Sequence, residues 1–453
     1  MSKIKTKFVC SNCGYESLKW LGKCPECGKW SSFVEELQEQ KNKSKGVGFY
    51  NENYKIFALN EISLEKEERI LTGIEEFDRV LGGGFMPGSI VLLGGEPGIG
   101  KSTLALQALS NIQKKCMYIS GEESPSQIKQ RAIRLEINSK NFSIAPETEI
   151  NKIIAILEDE NPCVAVIDSI QTLYDDNLEN PPGSITQIKH CSSKLMKLAK
   201  DKATSILLIG HVTKEGEIAG PKVLEHIVDA VLQFEGEKNY AYRILRAKKN
   251  RFGAVNEIGV FEMSEKGLIE VSNPSDAFMT EKNETTSGSI IAAALEGARP
   301  FLVEIQALAS PSYYSTPQRI CSGFDYRRFS ILTAALEKRA NLKLSNYNLY
   351  LNVAGGLKIE EPAVDLAVCL SVASSYLDKP PKVKIAVIGE VGLNGEIRGA
   401  FKLEERINEA AKLGFTNIIL PKTKKLSNLK NFSNLNIFEV SNLQEAIKLA
   451  FEE

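Results

Sequence analysis

Ser89-Ile-Val-Leu-Leu-Gly-Gly-Glu-Pro-Gly-Ile-Gly-Lys-Ser-Thr103 decides the fold of this 453-residue chain. An aliphatic run leads into GxxxxGKS from Gly95 to Ser102, and helix-forming residues follow from Leu104. Strand, glycine-rich loop and helix in that order form a grip for nucleotide phosphates. Gly95, Gly98 and Gly100 free the backbone to turn successive N–H groups onto phosphate oxygens, with Glu96, Pro97 and Ile99 completing the loop. Lys101 reaches the β- and γ-phosphates, and Ser102, followed by Thr103, ligates Mg²⁺ at the helix N-terminus. ATP with Mg²⁺ is the cofactor pair this pattern calls for.

Outward from the loop, strand-like runs at Ile90–Leu93, Met117–Ser120, Val164–Ile167 and Ser205–Ile209 alternate with helical ones at 104–115, 127–135, 150–158 and 185–200. Such alternation predicts an α/β domain on a mostly parallel sheet. Ser124, Pro125 and Gln127 sign one helix start as N-cap, first helical residue and capping-box partner. Val164-Ala-Val-Ile-Asp168 reads as a buried strand ending in a carboxylate, which places Asp168 beside the phosphate loop to hold Mg²⁺. Tyr118-Ile-Ser-Gly-Glu122-Glu123 brings two carboxylates to the C-terminal end of another strand, where open α/β sheets bind ligands. Glu122 is preferred over Glu123 as the group that orients the attacking water. His211, in Gly210-His-Val-Thr-Lys214, stands at a third strand end. It is read either as a γ-phosphate sensor coupled to the loop Glu215–Lys222 or as a structural histidine.

At the other end of the chain's first domain, Cys10-Ser-Asn-Cys13 and Cys24-Pro-Glu-Cys27 form two CxxC knuckles, each followed by glycine. Cys10, Cys13, Cys24 and Cys27 are a zinc set: two knuckles close a tetrathiolate site with no open position, so Zn²⁺ is structural. A module this small folds on its metal. Lys3, Lys5, Lys7, Lys19, Lys23 and Lys29 with Trp20 and Trp30 fit contact with nucleic acid, contact with protein, or plain solvation. The domain reading is a ribbon at 1–34, a polar linker at 35–60, an ATPase core at 61–275 and a second α/β unit at 276–453. The formal net charge of −1 removes any global argument for nucleic-acid binding. No apolar run is long enough for a membrane span and no secretion signal opens the chain, which predicts a cytoplasmic protein with no membrane partner. Cys116, Cys163, Cys191, Cys321 and Cys369 then read as reduced core residues.

Taken in order, the tetracysteine ribbon, GEPGIGKST, YISGEES, VIDSIQT, GHVTKEG and Lys249-Asn-Arg-Phe-Gly253 closely resemble the bacterial RadA (Sms) family of DNA repair proteins, relatives of the RecA recombinase. The resemblance spans essentially the whole chain, and KNRFG is its most specific element. It implies a RecA-like core in which Lys249 and Arg251 approach ATP held by a neighbouring subunit, as an arginine finger does. It also implies a DNA-dependent ATPase that processes recombination intermediates under DNA-damage stress. The implied partners are single-stranded and branched DNA, further copies of the chain in a hexameric ring, and a RecA-type recombinase. Translocation on single strands and branch migration complete the implied activity.

From about Ser289 the chain resembles the proteolytic domain of Lon, a Ser-Lys protease. Gly355-Gly-Leu-Lys-Ile-Glu-Glu-Pro-Ala363 and Gly389-Glu-Val-Gly-Leu-Asn-Gly-Glu-Ile-Arg-Gly-Ala-Phe-Lys-Leu-Glu404 carry that likeness. By the resemblance, Lon's serine falls on Ala363 and its lysine on Glu404. A methyl group has no oxygen to attack with, and a carboxylate cannot replace a desolvated amine. Ser371 or Ser374 with Lys402 is the only shifted dyad in sight. The domain is expected to keep the fold without the protease, supporting assembly and a DNA path. Arg299, Arg319, Arg327, Arg328, Lys338 and Arg339, near Tyr313, Tyr314, Phe324 and Tyr326, fit either DNA contact or a protein interface. Two rival functions remain in view: an ATP-dependent protease, and a nucleotide-switched assembly factor that does not move on DNA.

Overall fold

The computed structural model describes residues 6–10, 13–37, 68–138, 140–211, 222–236, 242–255, 257–279, 286–297, 299–313, 316–381, 385–422 and 435–451. The expected loop 215–222 up to its last residue, the polar stretch 280–285, Lys3, Lys5 and Tyr314 lie outside the described residues. So does the linker from residue 38 to residue 60. The chain divides into two compact units: Met1–Glu235 with Arg243–Glu270, and Gly236–Tyr242 with Val271–Glu453. Among the described residues no helix is long and apolar enough to cross a membrane.

In the first unit a nine-stranded sheet runs in the order 267–270, 258–264, 242–250, 230–235, 90–95, 205–211, 164–168, 116–120, 142–146. The strand Ile90–Gly95 lies between Ser205–His211 and Ala230–Glu235, parallel to both. Its six residues are all buried. Alternation explains why: Val91 and Leu93 join one core, Ile90 and Leu92 the other. Val164, Val166, Leu207 and Ile209 likewise face the first core, while Ala165, Ile167, Ile206 and Leu208 face the second. A strand buried on both faces reads as an unbroken apolar run, the mark of a parallel sheet covered by helices. Helix Lys101–Asn111 covers one face through Leu104, Ala105 and Ala108. Helices Ile150–Glu160 and Ile185–Lys202 cover the other through Ile153, Leu157, Ile188 and Leu195. Ser124 does cap helix Pro125–Arg134 in a capping box with Gln127.

Three boundaries differ from the sequence reading, each for a visible reason. The helix after the phosphate loop begins at Lys101, not at Leu104, because Gly100 at φ 121° serves as its N-cap. The ribbon continues to Leu37, since Phe33–Leu37 pairs antiparallel with Thr6–Cys10. The second unit begins at Val271 and not after residue 275. Helix Pro274–Phe278 belongs to it: Ser275 Oγ accepts from Leu302 N at 2.9 Å, and the Phe278 ring lies 5.9 Å from that of Phe301.

The second unit is built on a seven-stranded mixed sheet, ordered 319–322, 347–353, 299–311, 289–296, 385–387, 417–421, 436–440. Helix Asp365–Leu377 is buried continuously from Asp365 to Ser374. Arg406, fully buried, ties three segments together. Its guanidinium pairs with Glu361 and donates to Ala293 O at 2.7 Å and Phe401 O at 2.8 Å, while Glu361 also accepts from Leu295 N at 2.7 Å.

Candidate functional site

The phosphate loop opens at the C-terminal end of the central strand. At Gly98, where φ is 80°, a Cβ would meet nothing within 4 Å, so the loop encloses open space on its ligand side. Lys101 is buried, and its Nζ donates to Gly95 O at 2.8 Å and Glu96 O at 2.9 Å. Burial pulls this ammonium down to about 8, against the opposing pull of Asp168 and Glu122. A cation that has shed water and lies folded on its own loop is set to exchange carbonyls for phosphate oxygens.

Ser102 Oγ donates to Asp168 Oδ2 at 2.7 Å, so the hydroxyl and the carboxylate converge as a Mg²⁺ site requires. Asp168 ends its strand next to Ser120, in register across the neighbouring strand. Tyr118 donates its phenol to the same Asp168 oxygen at 2.5 Å, and burial with the Asp168 charge holds that phenol well above its ordinary range. From Ser120 the chain turns toward Asp168: Gly121 N donates to Asp168 O at 2.8 Å. A Cβ on Gly121 would sit 2.1 Å from Thr172 Oγ1 and 2.7 Å from Thr148 Cγ2, so this approach demands glycine. The turn presents Glu122, which accepts from Ser169 Oγ at 2.5 Å. Glu123 points elsewhere, paired with Arg131. Lys101, Ser102, Asp168 and Glu122 therefore share one strand-end cluster.

His211 closes its strand in register with Gly95, and its side chain lies outside the described residues. Lys249 and Arg251 are not in this cluster. Register sets Lys249 opposite Val231 and Asn250 opposite Ala230, and Ala230 lies beside Val91. That is the start of the phosphate-loop strand, about 13 Å from Gly95 at roughly 3.3 Å per residue. Lys249 Nζ donates to Val228 O at 2.7 Å and to Glu225 O. Burial and the neighbouring Arg251 lower its affinity for a proton. Arg251, half exposed, reaches Asp229 Oδ1 at 3.2 Å, and Asp229 Oδ2 accepts from Ile90 N at 3.1 Å.

Sequence reasoning missed Tyr118, Ser169 and Asp229. A tyrosine in a buried strand always needs a partner for its hydroxyl, which was the available signal for Tyr118. Ser169 and Asp229 carried none, because their partners come from distant strands.

In the ribbon the four cysteine sulfurs lie within 4.8 Å of one another. Cys10 Sγ is 3.7 Å from Cys27 Sγ, and Cys13 Sγ is 3.5 Å from Cys24 Sγ. A Zn–S bond of about 2.3 Å sets tetrahedral sulfurs about 3.8 Å apart, so the set fits zinc. The two knuckles repeat one turn: Gly14 N donates to Cys10 O at 2.8 Å, and Gly28 N to Cys24 O at 2.9 Å.

In the second unit Ala363 is buried and Glu404 lies on helix Leu403–Lys412. Ser371 Oγ donates to Val368 O at 2.9 Å and Ser374 Oγ to Lys379 O at 2.5 Å, so both hydroxyls are committed to backbone. The basic candidates separate. Arg328 pairs with buried Asp365 and Arg319 donates to Leu344 O at 3.1 Å, both inside the fold. Arg299 donates to Ser272 O at 2.6 Å. Arg327, Lys338 and Arg339 are exposed with Tyr313 and Tyr326, whereas Phe324 is buried.

Residues 70–145 match the family model of KaiC-type ATPases, residues 8–35 that of a rubredoxin metal-binding domain, and residues 327–424 that of subunit ChlI of Mg-chelatase. Among solved structures, a KaiC-like protein of Pyrococcus horikoshii aligns with TM-score 0.38 and 20% identity over 45% of this chain and 99% of its own. The RadB recombinase aligns with TM-score 0.38 and 24% identity over 45% and 100%. The chain is thus a RecA-like P-loop ATPase that uses ATP and Mg²⁺ and carries a structural zinc ribbon. Over its whole length it is 48% identical to the DNA repair protein RadA of Bacillus subtilis, covering 99% of each chain. It is 49% identical to that of Listeria monocytogenes, covering 100% of each. The chain belongs to the RadA family of DNA repair proteins.

Proposed function

We propose that this protein is a DNA-dependent ATPase that acts on recombination intermediates, assembled as a hexameric ring that translocates on single-stranded DNA and promotes branch migration beside a RecA-type recombinase. Mg²⁺, when bound, neutralises charge between the β- and γ-phosphates. In this reading Lys101 leaves the carbonyls of Gly95 and Glu96 for the phosphates, Ser102 and Asp168 hold the metal, and Glu122 orients water against the γ-phosphate. Ser169 fixes the Glu122 carboxylate, and Tyr118 fixes Asp168. His211, at the strand end beside Gly95, reports the γ-phosphate to the loop that follows it.

The observation that carries the cross-subunit part is the position of Lys249 and Arg251 at the sheet edge remote from their own phosphate loop. Charges there cannot serve the ATP of the same chain, but a neighbour stacked on that edge would receive them. Membership of a DNA repair family supports the DNA substrate. Ala363, with no nucleophile at its place, speaks against proteolysis. ATP hydrolysis measured with and without single-stranded DNA, using Lys101→Ala as the blank, tests the reading. DNA should raise turnover at least severalfold, and the blank should show none. Equal turnover with and without every DNA tried would leave an ATPase that is not a DNA motor.

A further inference from the structure

The chain has two tryptophans, Trp20 and Trp30, and the ribbon exposes both, by 55% and 73%. Leu18 beside them is 74% exposed. Large aromatic side chains left open on a small module mark a contact surface. The rings converge: a Cβ on Gly22 would lie 3.8 Å from Cζ3 of each indole, so both flank the same small residue. Metal geometry holds them there. Trp30 is bridged to Lys23 across the second knuckle, Ser31 N donates to Gly22 O at 2.8 Å, and Cys24 N donates to Lys29 O at 2.8 Å. Lys23 Nζ stands 5.7 Å from the Trp30 ring centroid, and Lys19 is exposed next to Trp20.

Charge selects the partner. Residues 1–34 hold six lysines against two glutamates, in a chain whose net charge is −1. The module stays positive even after the two net negative charges that a tetrathiolate zinc centre carries. Indoles supply faces for bases of any sequence, and the lysines supply counter-charge for phosphates. We infer that the Trp20–Trp30 face of the ribbon is a stacking platform for single-stranded DNA, with bases on the indoles and Lys19 and Lys23 along the backbone. This rests on the DNA reading above and adds a second point of contact, apart from the ATPase core.

Because the ribbon holds both tryptophans, indole emission from the full-length, zinc-loaded protein reports on this face alone. Unlabelled oligothymidylate should quench that emission along the same curve by which a labelled oligothymidylate gains anisotropy. Trp20→Ala/Trp30→Ala should weaken binding about tenfold or more. Trp20→Phe/Trp30→Phe should bind within about threefold of the natural chain, since a phenyl ring still stacks. Lys19→Ala/Lys23→Ala should flatten the salt dependence by a slope of about one. Zinc content checks that each variant keeps its fold. Rising anisotropy with unchanged emission, and unchanged affinity in the double alanine variant, would overturn the platform while leaving DNA binding intact; the face would then be one for a protein. No anisotropy change from a chain that hydrolyses ATP would bring down both the platform and the DNA reading.

Discussion

Lys101 lies folded onto the carbonyls of Gly95 and Glu96, and burial has pulled its pKa down to about 8. Phosphate oxygens favour the charged amine, so nucleotide binding raises that pKa again. Below pH 8 the amine is already charged and affinity should be flat. Above it, free protein loses the charge that the complex needs, so binding must take up a proton and affinity falls. By linkage the loss is about tenfold at one pH unit above the free pKa. Titrating a fluorescent ATP analogue between pH 6.5 and 9.5 checks this, and flat affinity to pH 9.5 would show that the lysine is charged throughout. The same residue-scale view separates Glu122 from Glu123. Both end the same strand, but Glu123 is held by Arg131 while Glu122 accepts from Ser169 beside the metal-site carboxylate. The sequence expressed a preference between them. The reason for it lies in a side chain eight residues on and in another strand.

Among the elements, the segment Pro362–Val364, the strand Ser289–Glu296 and the helix Leu403–Lys412 meet at the pair Glu361–Arg406. Arg406 is fully buried, so removing its partner or its charge leaves a desolvated group without compensation. Arg406→Met should destabilise the second unit by about 3–5 kcal/mol. Urea unfolding, with ATP binding as a separate reporter of the first unit, should show the C-terminal transition shifted and the nucleotide site unmoved. A loss under about 1 kcal/mol would mean that the packing of helix Asp365–Leu377 carries this unit without the pair. The sequence predicted elements best where burial is two-sided. Ile90–Gly95, Val164–Asp168 and Ser205–His211 are unbroken apolar runs because both of their faces are core. The ribbon's last strand, Phe33–Leu37, was read as linker because its two glutamates hide a pairing made by backbone alone. In the second unit Arg319 and Arg328 looked like surface charge, yet they sit against Leu344 O and Asp365, partners set by long-range pairing that no local pattern announces.

At the scale of the molecule, Lys101 and Arg251 occupy opposite edges of one sheet. Lys101 follows Gly95, at the C-terminal end of the phosphate-loop strand, while Arg251 follows Asn250, level with that strand's first residues. If both serve one ATP, they come from different subunits, and each subunit contributes half of two sites. A mixing experiment separates that arrangement from one in which each chain works alone. Lys101→Ala subunits keep Arg251, and Arg251→Ala subunits keep Lys101; each variant by itself should hydrolyse ATP at background in the presence of DNA. In mixed assemblies an interface between the Lys101 of one variant and the Arg251 of the other is complete. Random assortment at equal amounts makes roughly a quarter of the interfaces complete, so DNA-stimulated turnover should return to about that fraction of the natural level. The variants should bind nucleotide differently, with Arg251→Ala near the natural affinity and Lys101→Ala much weaker, because only the lysine belongs to the phosphate grip. Turnover that stays at background after subunit exchange, with mixed assemblies confirmed by mass, would place both residues in the service of their own chain and require the sheet edges to be bridged within it.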